Sequence, residues 1–325
     1  MRDSIEIFAT LGERFKDFGT TAEHREIVSL AIADNPWFTE EDIHRAIEAI
    51  REDMLQRDKL AAWLAQYTPT ATPCDVAIIM AGNIPLVGFF DLLCVVASGH
   101  RCHIKPSSKD KHLMQYVVGQ LRDIDSTIPI YDYSADKEYD MAIATGGDDA
   151  NRYFREHFAE TRTLLRGSRH SVAILDGTES HAEMIALAHD ITAYSGLGCR
   201  SISMIFTPSG WQQQLQSLPA ANRKLANNIA MQRALLTMQQ SAFVDCDGYL
   251  AVRGDDFPTT LATVTIREYD TLSEATAWLK ENVDRVQCVT SHCDIEGCVP
   301  LGSAQRPTLW DYADGIDTMK FLLEE

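Results

Sequence analysis

The sequence predicts an α/β fold built around parallel sheet. Three observations carry this reading. Short apolar runs rich in β-branched residues recur along the chain, among them Val76-Ala-Ile-Ile-Met80, Met141-Ala-Ile-Ala144 and Val172-Ala-Ile-Leu175. Stretches with apolar residues at helical spacing separate them, and strands that alternate with helices pair in parallel because each crossover returns over a sheet face. The chain has 325 residues, 45% of them hydrophobic, enough core for two domains.

Taken in order, residues 1 to about 68 read as helical, with Ile5, Phe8, Leu11 and Phe15 at helical spacing and a second stretch over Glu41–Tyr67. Thr68-Pro-Thr-Ala-Thr-Pro73 breaks the pattern. After the strand at 76–80, Ala81-Gly-Asn83 turns, Pro85 suits a first helical position, and a buried helix runs from Ile84 to about Ser98, where Gly99 stops it. Cys102–Lys105 reads as a strand, and Ser107 or Ser108 as the cap of a helix over 109–121. The strand at 141–144 leads through Thr145-Gly-Gly-Asp148 into a helix over 149–158. Near Arg166 the texture shifts, and a strand at 172–175 precedes Ser180-x-x-Glu183, a capping-box signature for a helix ending near Tyr194. Ile202–Phe206, Tyr249–Val252, Leu261–Ile266 and Arg285–Ser291 read as strands. Trp211 to about Gln240 reads as mostly helical, Thr271-x-x-Glu274 as a helix start, and the tail from Val299 as loop. The expected division is a helical region over 1–72, a first α/β domain over 73–165 to which 292–325 returns, and a second over 166–291.

Charge narrows the function classes. A formal net charge of −18 gives no general attraction for nucleic acid or an anionic membrane, and an anionic ligand must be held by local cations and helix N-termini. The opening residues, Met-Arg-Asp-Ser-Ile-Glu-Ile-Phe, do not resemble a signal peptide, and the longest apolar run, Ile84–Ala97, is interrupted by Asp91 and is too short to span a bilayer. The expectation is a cytoplasmic protein without a membrane span. Eight cysteines, at 74, 94, 102, 199, 246, 288, 293 and 298, include no Cys-x-x-Cys pair, so a disulfide framework is not expected. The group Cys288, His292, Cys293 and Cys298 fits no zinc spacing, and no metal is expected.

Four places could carry chemistry, and each has a plain structural alternative. Cys199 follows Gly196-Leu-Gly198 in a loop between a capped helix and a strand, beside Arg200, which would favour a thiolate; an inert thiol is the alternative. Asn83 lies in a strand-to-helix turn, where its amide can donate to a developing oxyanion or simply form the turn. Lys105 ends a strand, where nucleotides bind in parallel sheets, but a solvated charge fits equally. Gly146 and Gly147 open a helix after a strand, a geometry that receives phosphate or merely makes a tight turn; the Gly-x-Gly-x-x-Gly fingerprint is absent.

Together these segments resemble the acyl-CoA reductase family that supplies fatty aldehyde in bacterial bioluminescence, within the aldehyde dehydrogenase superfamily. The matching segments are Ala81-Gly-Asn-Ile-Pro-Leu-Val-Gly88, Lys105-Pro-Ser-Ser-Lys-Asp110, Ala144-Thr-Gly-Gly147, Ser168-Arg-His-Ser-Val-Ala-Ile-Leu175, Asp190-Ile-Thr-Ala-Tyr-Ser-Gly-Leu-Gly-Cys-Arg200, Gly302-Ser-Ala-Gln-Arg-Pro307 and Asp311–Met319. The resemblance implies an aldehyde-dehydrogenase-like fold of two three-layer α/β/α Rossmann-like domains, the first binding the nicotinamide cofactor and the second carrying the nucleophile. It makes Cys199 the nucleophile, Asn83 the oxyanion donor with the Cys199 N–H, Lys105 and Ser107 contacts to the adenosine ribose or its 2′-phosphate, and Gly146 and Gly147 the turn under the cofactor. Gln305 and Asp314 are family-like without an assigned role. It further implies NADPH, or NADH, as cofactor, coenzyme A as part of an acyl-thioester substrate, and a homo-oligomer or an acyl-transferring partner protein. Hydrolytic members of the superfamily carry a water-activating glutamate in a stretch that here reads Leu164-Leu-Arg-Gly-Ser-Arg169, without a carboxylate. The expected reaction is therefore reduction of an acyl-CoA to the aldehyde. A Cys-dependent acyltransferase or thioesterase, and an inactive acyl-binding subunit, are the competing readings.

Overall fold

In the computed structural model, residues 3–212 and 214–324 are described, and the chain divides into two compact units: Met1–Ser168 with Pro307–Glu325, and Arg169–Arg306. The first opens with helices α1 (Ser4–Phe15), α2 (Ala22–Asp34) and α3 (Glu40–Ala49), a π-helical turn over Ile50–Met54, and α4 (Arg57–Leu64). Asp3, Thr21 and Thr39 cap the first three through side-chain oxygens that accept backbone N–H groups. There follow β1 (Asp75–Ile79), α5 (Phe89–Ser98), β2 (Arg101–Lys105), α6 (Lys111–Ile124), β3 (Ile130–Asp132), β4 (Met141–Thr145), α7 (Asp148–His157) and β5 (Arg162–Arg166). The five strands pair in parallel in the order β3-β2-β1-β4-β5.

Alternation along β1 explains the layers. Val76 and Ile78 face a core shared with the N-terminal helices, α5 and α6, whereas Ala77 and Ile79 face a smaller core completed by Phe154 and Phe158 of and after α7. A sheet covered on both faces is buried throughout, which is why these strands read as continuous apolar runs.

The second unit contains β6 (His170–Ile174), α8 (His181–Thr192), β7 (Ile202–Pro208), α9 (Arg223–Met238), β8 (Phe243–Asp245), β9 (Leu250–Arg253), β10 (Thr263–Tyr269), α10 (Leu272–Glu281) and β11 (Val286–Ser291). Its six strands run β11-β6-β7-β10-β9-β8, parallel except for the antiparallel edge strand β8. Ala173 and Ile205 pack toward α8, and Val172, Ile174, Met204 and Phe206 pack toward α10. Both units are thus three-layer α/β/α arrangements, as expected. The return to the first unit comes at Pro307, later than residue 292, because 299–304 stays tied to the second sheet: Val299 bridges Thr290, and Gly302 and Ala304 bond to Asp190 of α8. The chain ends in α11 (Thr318–Leu323), whose Met319 and Leu322 join the first core.

Three helix starts differ from expectation. The helix placed at Ile84 begins at Phe89, because Leu86 takes a positive φ of 56° and its N–H is held by the Asp110 carboxylate. The helix placed at Lys109 begins at Lys111 with Asp110, not a serine, at its N-cap, since Ser107 instead closes a turn by accepting from the backbone N–H groups of Lys109 and Asp110. Of the span 211–240, only 223–238 is α-helix. At Thr271 the helix starts as expected but without a side-chain cap. None of the described helices is long and apolar enough to cross a membrane.

One buried ion pair braces the first unit. Arg166, at the end of β5, donates to Asp91 of α5 at 2.5 Å and to Thr318 of α11 at 2.7 Å, and both charged side chains are almost fully buried. Arg166→Met leaves the Asp91 charge uncompensated and is expected to cost about 3–5 kcal/mol. Replacing Asp91 by Leu at the same time is expected to recover most of that loss in urea denaturation.

Candidate functional site

The carboxyl edge of the first sheet gathers the sequence-predicted cofactor residues. From β1 the chain proceeds to β2 on one side, and it crosses to β4 on the other, so the topological switch point lies between β1 and β4, where open α/β sheets bind ligands. Asn83 follows β1, Lys105 and Ser107 end and follow β2, and Gly146 and Gly147 follow β4. The loop carrying Asn83 is held at several points. Asn35 Nδ2 donates to Gly82 O at 3.0 Å, and Leu86 N donates to Asp110 Oδ2 at 2.8 Å. Burial pushes the Asp110 carboxyl well above the usual range, against the opposing bond from Leu86 N. Gly82 lies flat on Ser107: a Cβ there would stand 2.5 Å from Ser107 Oγ, so only glycine permits this approach of the two loops.

Asn83 itself is exposed on this loop, six residues ahead of α5, so the positive potential of a helix start at Ile84 does not act on it. Lys105 is exposed, with Nζ 5.5 Å from the centre of the Tyr133 ring. The two glycines divide their work. A Cβ at Gly146 would meet Ala150 Cβ at 2.7 Å, so this glycine serves close packing of the β4–α7 turn. Gly147 is the N-cap of α7 and supplies no side-chain cap, which leaves the first N–H groups of that helix directed toward whatever lies at the strand ends. An exposed lysine and an uncapped helix N-terminus beside a switch point suit a dinucleotide phosphate.

In the second unit, Cys199 sits in a turn built by several elements. The Ser180–Glu183 capping box starts α8, and the helix ends at Thr192. The chain then takes three successive left-handed residues, Tyr194 at φ 53°, Ser195 at φ 57° and Gly196 at φ 71°. Only the last is free of the Cβ penalty, and the other two cost about 1–2 kcal/mol each. Hydrogen bonds hold the turn: Leu197 N donates to Tyr194 O at 3.1 Å, and Asn222 Nδ2 donates to the buried Ser195 Oγ at 2.7 Å. Asn222 is also the N-cap of α9, accepting from Leu225 N at 2.9 Å.

Beyond the turn, Ser171 Oγ of β6 donates to Cys199 O at 2.9 Å, fixing the backbone of Cys199 on the amino edge of the sheet. Gln305 Nε2 donates to Ser201 Oγ at 3.1 Å, which gives Gln305 a positioning role that its sequence context left open. Arg200 donates through Nε to Ala304 O and through a terminal nitrogen to Cys288 Sγ at 3.4 Å, so its guanidinium bridges this turn to β11 and to the segment after it. Asp190 accepts from Gly302 N at 2.7 Å and from Ala304 N at 3.2 Å; burial pushes its carboxyl up to about 7 against these bonds and the nearby Arg200. The Cys199 thiol is half-buried, whereas Cys94, Cys102, Cys246 and Cys288 are buried. Ser171, Asp190, Ser195 and Asn222 escaped assignment from the sequence, although the first three lie inside family-like segments. Asp314 falls in the first unit, in a short turn at φ 60°, and gains no chemical role from its surroundings. The spacing of Cys288, His292, Cys293 and Cys298 gave no metal site, yet the fold brings Asp176, His292 and Cys293 together.

Comparison with known proteins accords with this geometry. The family described as Acyl-CoA reductase (LuxC) matches residues 35–243. The chain belongs to the LuxC acyl-CoA reductase family. That span of the LuxC match contains Asn83, Lys105, Ser107, Gly146, Gly147 and Cys199. "Long-chain acyl-protein thioester reductase 2" of Photobacterium leiognathi is 28% identical across 49% of this chain and 38% of its own length. The thioester reductase of Photorhabdus laumondii is 27% identical over the same shares. The chain thus spans about two fifths of the length of the curated relatives it matches. Among solved structures, aldehyde dehydrogenase 21 of Physcomitrella patens superposes with a TM-score of 0.67 over 99% of this chain and 83% of its own at 11% identity. An aldehyde dehydrogenase of Bacillus cereus gives 0.60 over 91% and 73% at 14% identity. These likenesses establish the aldehyde-dehydrogenase fold.

Two predictions follow from the Cys199 turn. Asn222→Asp keeps the acceptor that caps α9 but loses the donor to Ser195, whereas Asn222→Ala loses both. Only the alanine variant is expected to lose about 1 kcal/mol of stability from the missing cap. Both are expected to change the alkylation rate of Cys199 severalfold, read by peptide mass spectrometry; an unchanged rate in both would separate Asn222 from the nucleophile. The raised carboxyl of Asp190 favours the folded state when protonated, so it gives stability below its unfolded value, about 3.9, that is lost as pH rises toward about 7. Relative to Asp190→Asn, the natural protein should therefore lose stability between pH 5 and pH 8 in urea titrations.

Proposed function

We propose that the chain reduces an acyl-CoA thioester, with a long acyl chain, to the aldehyde at the expense of NADPH, through a thioacyl-enzyme on Cys199. The observation that carries this reading is the built turn of Cys199 within a span that belongs to the LuxC family. A buried thiol serving only as core needs no strained left-handed approach and no hydroxyl fixing its carbonyl.

In the proposed reaction the Cys199 thiolate attacks the thioester carbonyl carbon. Asn83, assigned by its segment alone, and the Cys199 N–H stabilise the oxyanion, a kind of contact worth about 3–4 kcal/mol per donor. The tetrahedral intermediate collapses, the carbon–sulfur bond to coenzyme A breaks, and the departing thiolate needs little acid assistance. A reduced nicotinamide, when bound, would supply one hydride to the thioacyl carbon. Collapse of the resulting thiohemiacetal, with loss of its hydroxyl proton, releases aldehyde and regenerates the cysteine. Lys105 and Ser107 at the end of β2 would hold the adenosine ribose or its 2′-phosphate, and the start of α7 at Gly147 would supply N–H donors to the pyrophosphate. Gly146, packed on Ala150, shapes the turn under the cofactor.

The direction of the reaction rests on Leu164–Arg169. The stretch comparable to the glutamate-bearing one of hydrolytic relatives holds no glutamate, and Arg166 within it is committed to Asp91 and Thr318. No carboxylate in that stretch activates water against the thioacyl intermediate, which leaves reduction as its exit.

Following NADPH absorbance with acyl-CoAs of graded length, and with acyl thioesters of a carrier protein, tests the reading. Cys199→Ala is expected to abolish turnover, and incubation of the natural protein with acyl-CoA alone to add one acyl group at Cys199 by mass spectrometry. Asn83→Ala should lower kcat by about 100- to 1,000-fold. Lys105→Ala should raise KM for NADPH by about 10- to 100-fold, the loss of one charge-assisted contact of about 1.5–3 kcal/mol, while leaving KM for NADH unchanged. Turnover of acyl-CoA without nicotinamide would instead identify an acyltransferase or thioesterase, and absence of any adduct would remove Cys199 from the chemistry.

A further inference from the structure

We infer that Asp176, His292 and Cys293 form a binding site for a divalent metal ion of the zinc class, separate from the Cys199 turn. β6 and β11 are adjacent parallel strands ending together, with Ile174 opposite Ser291, so the residues just past them share one carboxyl edge of the second sheet. One Asp176 carboxylate oxygen, one His292 ring nitrogen and Cys293 Sγ all lie within 4.8 Å of one another. Zinc bonds of 2.0–2.3 Å in a tetrahedron set ligand atoms about 3.3–3.8 Å apart, so small side-chain rotations close the three around an ion. The donors are an oxygen, a nitrogen and a sulfur, a mixture that suits zinc and not calcium or magnesium.

The surrounding residues hold the donors as a metal site requires. Ser291 Oγ donates to Ile174 O at 2.7 Å and accepts from Cys293 N at 3.0 Å, locking the turn that presents His292 and Cys293. The fully buried Glu179 side chain accepts from Asp176 N at 2.7 Å and Gly177 N at 3.1 Å, locking the opposite loop. His292 Nε2 stands 3.0 Å from Asp176 Oδ1, while Nδ1 stands 3.1 Å from Glu183 Oε1. With Nδ1–H donating to Glu183, Nε2 is left as the ligand atom, the carboxylate–histidine–metal order that orients metal-binding imidazoles. A thiolate and a carboxylate with a neutral imidazole carry two negative charges, matching a divalent ion; binding displaces the Cys293 thiol proton and the proton on His292 Nε2. Asp176 and His292 are exposed at this edge, so solvent water can fill the fourth position.

Chelator-stripped full-length protein titrated with Co²⁺ and with Zn²⁺ against a chromophoric competitor tests the site. One equivalent should bind, and Co²⁺ should give a thiolate-to-metal charge-transfer band. Cys293→Ala should lose that band, His292→Ala should lose measurable zinc binding, and Cys298→Ala should retain both. Glu183→Gln, which preserves the capping box, should weaken zinc binding by about 10- to 100-fold. Absence of the band in the natural protein, or a band and stoichiometry unaltered by Cys293→Ala, would overturn the inference. The readouts require no turnover and are indifferent to whether acyl-CoA is the substrate.

Discussion

The second unit turns on the left-handed passage at Tyr194, Ser195 and Gly196. A helix that ends at Thr192 must release the chain into a strand beginning at Ile202, and Cys199 rides on the few residues between. L-residues resist positive φ, so this path persists only where neighbours over-determine it. Asn222 provides one constraint by bonding Ser195 with one end of its amide and the start of α9 with the other. Ser171 and Gln305 provide others on the far side of the cysteine, through Cys199 O and Ser201. Cys199 is therefore placed by its backbone, and its side chain follows from that placement.

What the sequence revealed follows from how locally each feature is encoded. Strands β1, β2, β4, β6 and β7 are buried on both faces and stand out as apolar runs within a residue or two of their limits. β3 and β8 have only three residues each, and β5 carries arginine at both ends, so they were passed over. The start of α5 was misplaced because Pro85 suits a first helical turn, whereas the positive φ of Leu86 depends on Asp110, distant in sequence. The same divide runs through the site. Cys199, Asn83 and Lys105 stood out through their segments, but Asp190 and Gln305 gain meaning only from bonds across more than a hundred residues. Nor does spacing reveal that His292 and Cys293 lie beside Asp176, which follows β6.

Arg166 braces the first unit. It ends β5, and a buried guanidinium there demands an anion of its own. Asp91 meets that demand from within α5 through one terminal nitrogen, and Thr318 accepts from the other. A carboxylate at 166 would set two buried acids against each other, so this position is committed to a cation.

The segment after β11 makes sense of the division of the chain. From His292 to Gln305 it follows α8 from its first turn to its last. His292 meets Glu183 at the start, Gly302 lies so close to Ala186 that a Cβ would stand 2.8 Å from that side chain, and Gly302 and Ala304 bond to Asp190 near the end. Gln305 then reaches Ser201, beyond the cysteine. A strap fastened at both ends of the helix cannot leave for the first unit at residue 292, and it departs only at Pro307. An ion bound by His292, Cys293 and Asp176 would tighten the first fastening, and the Asp190 carboxyl, raised to about 7, is the second. The helix that leads to Cys199 is thereby held at one end by groups suited to a metal and at the other by a carboxyl that burial raises to about 7.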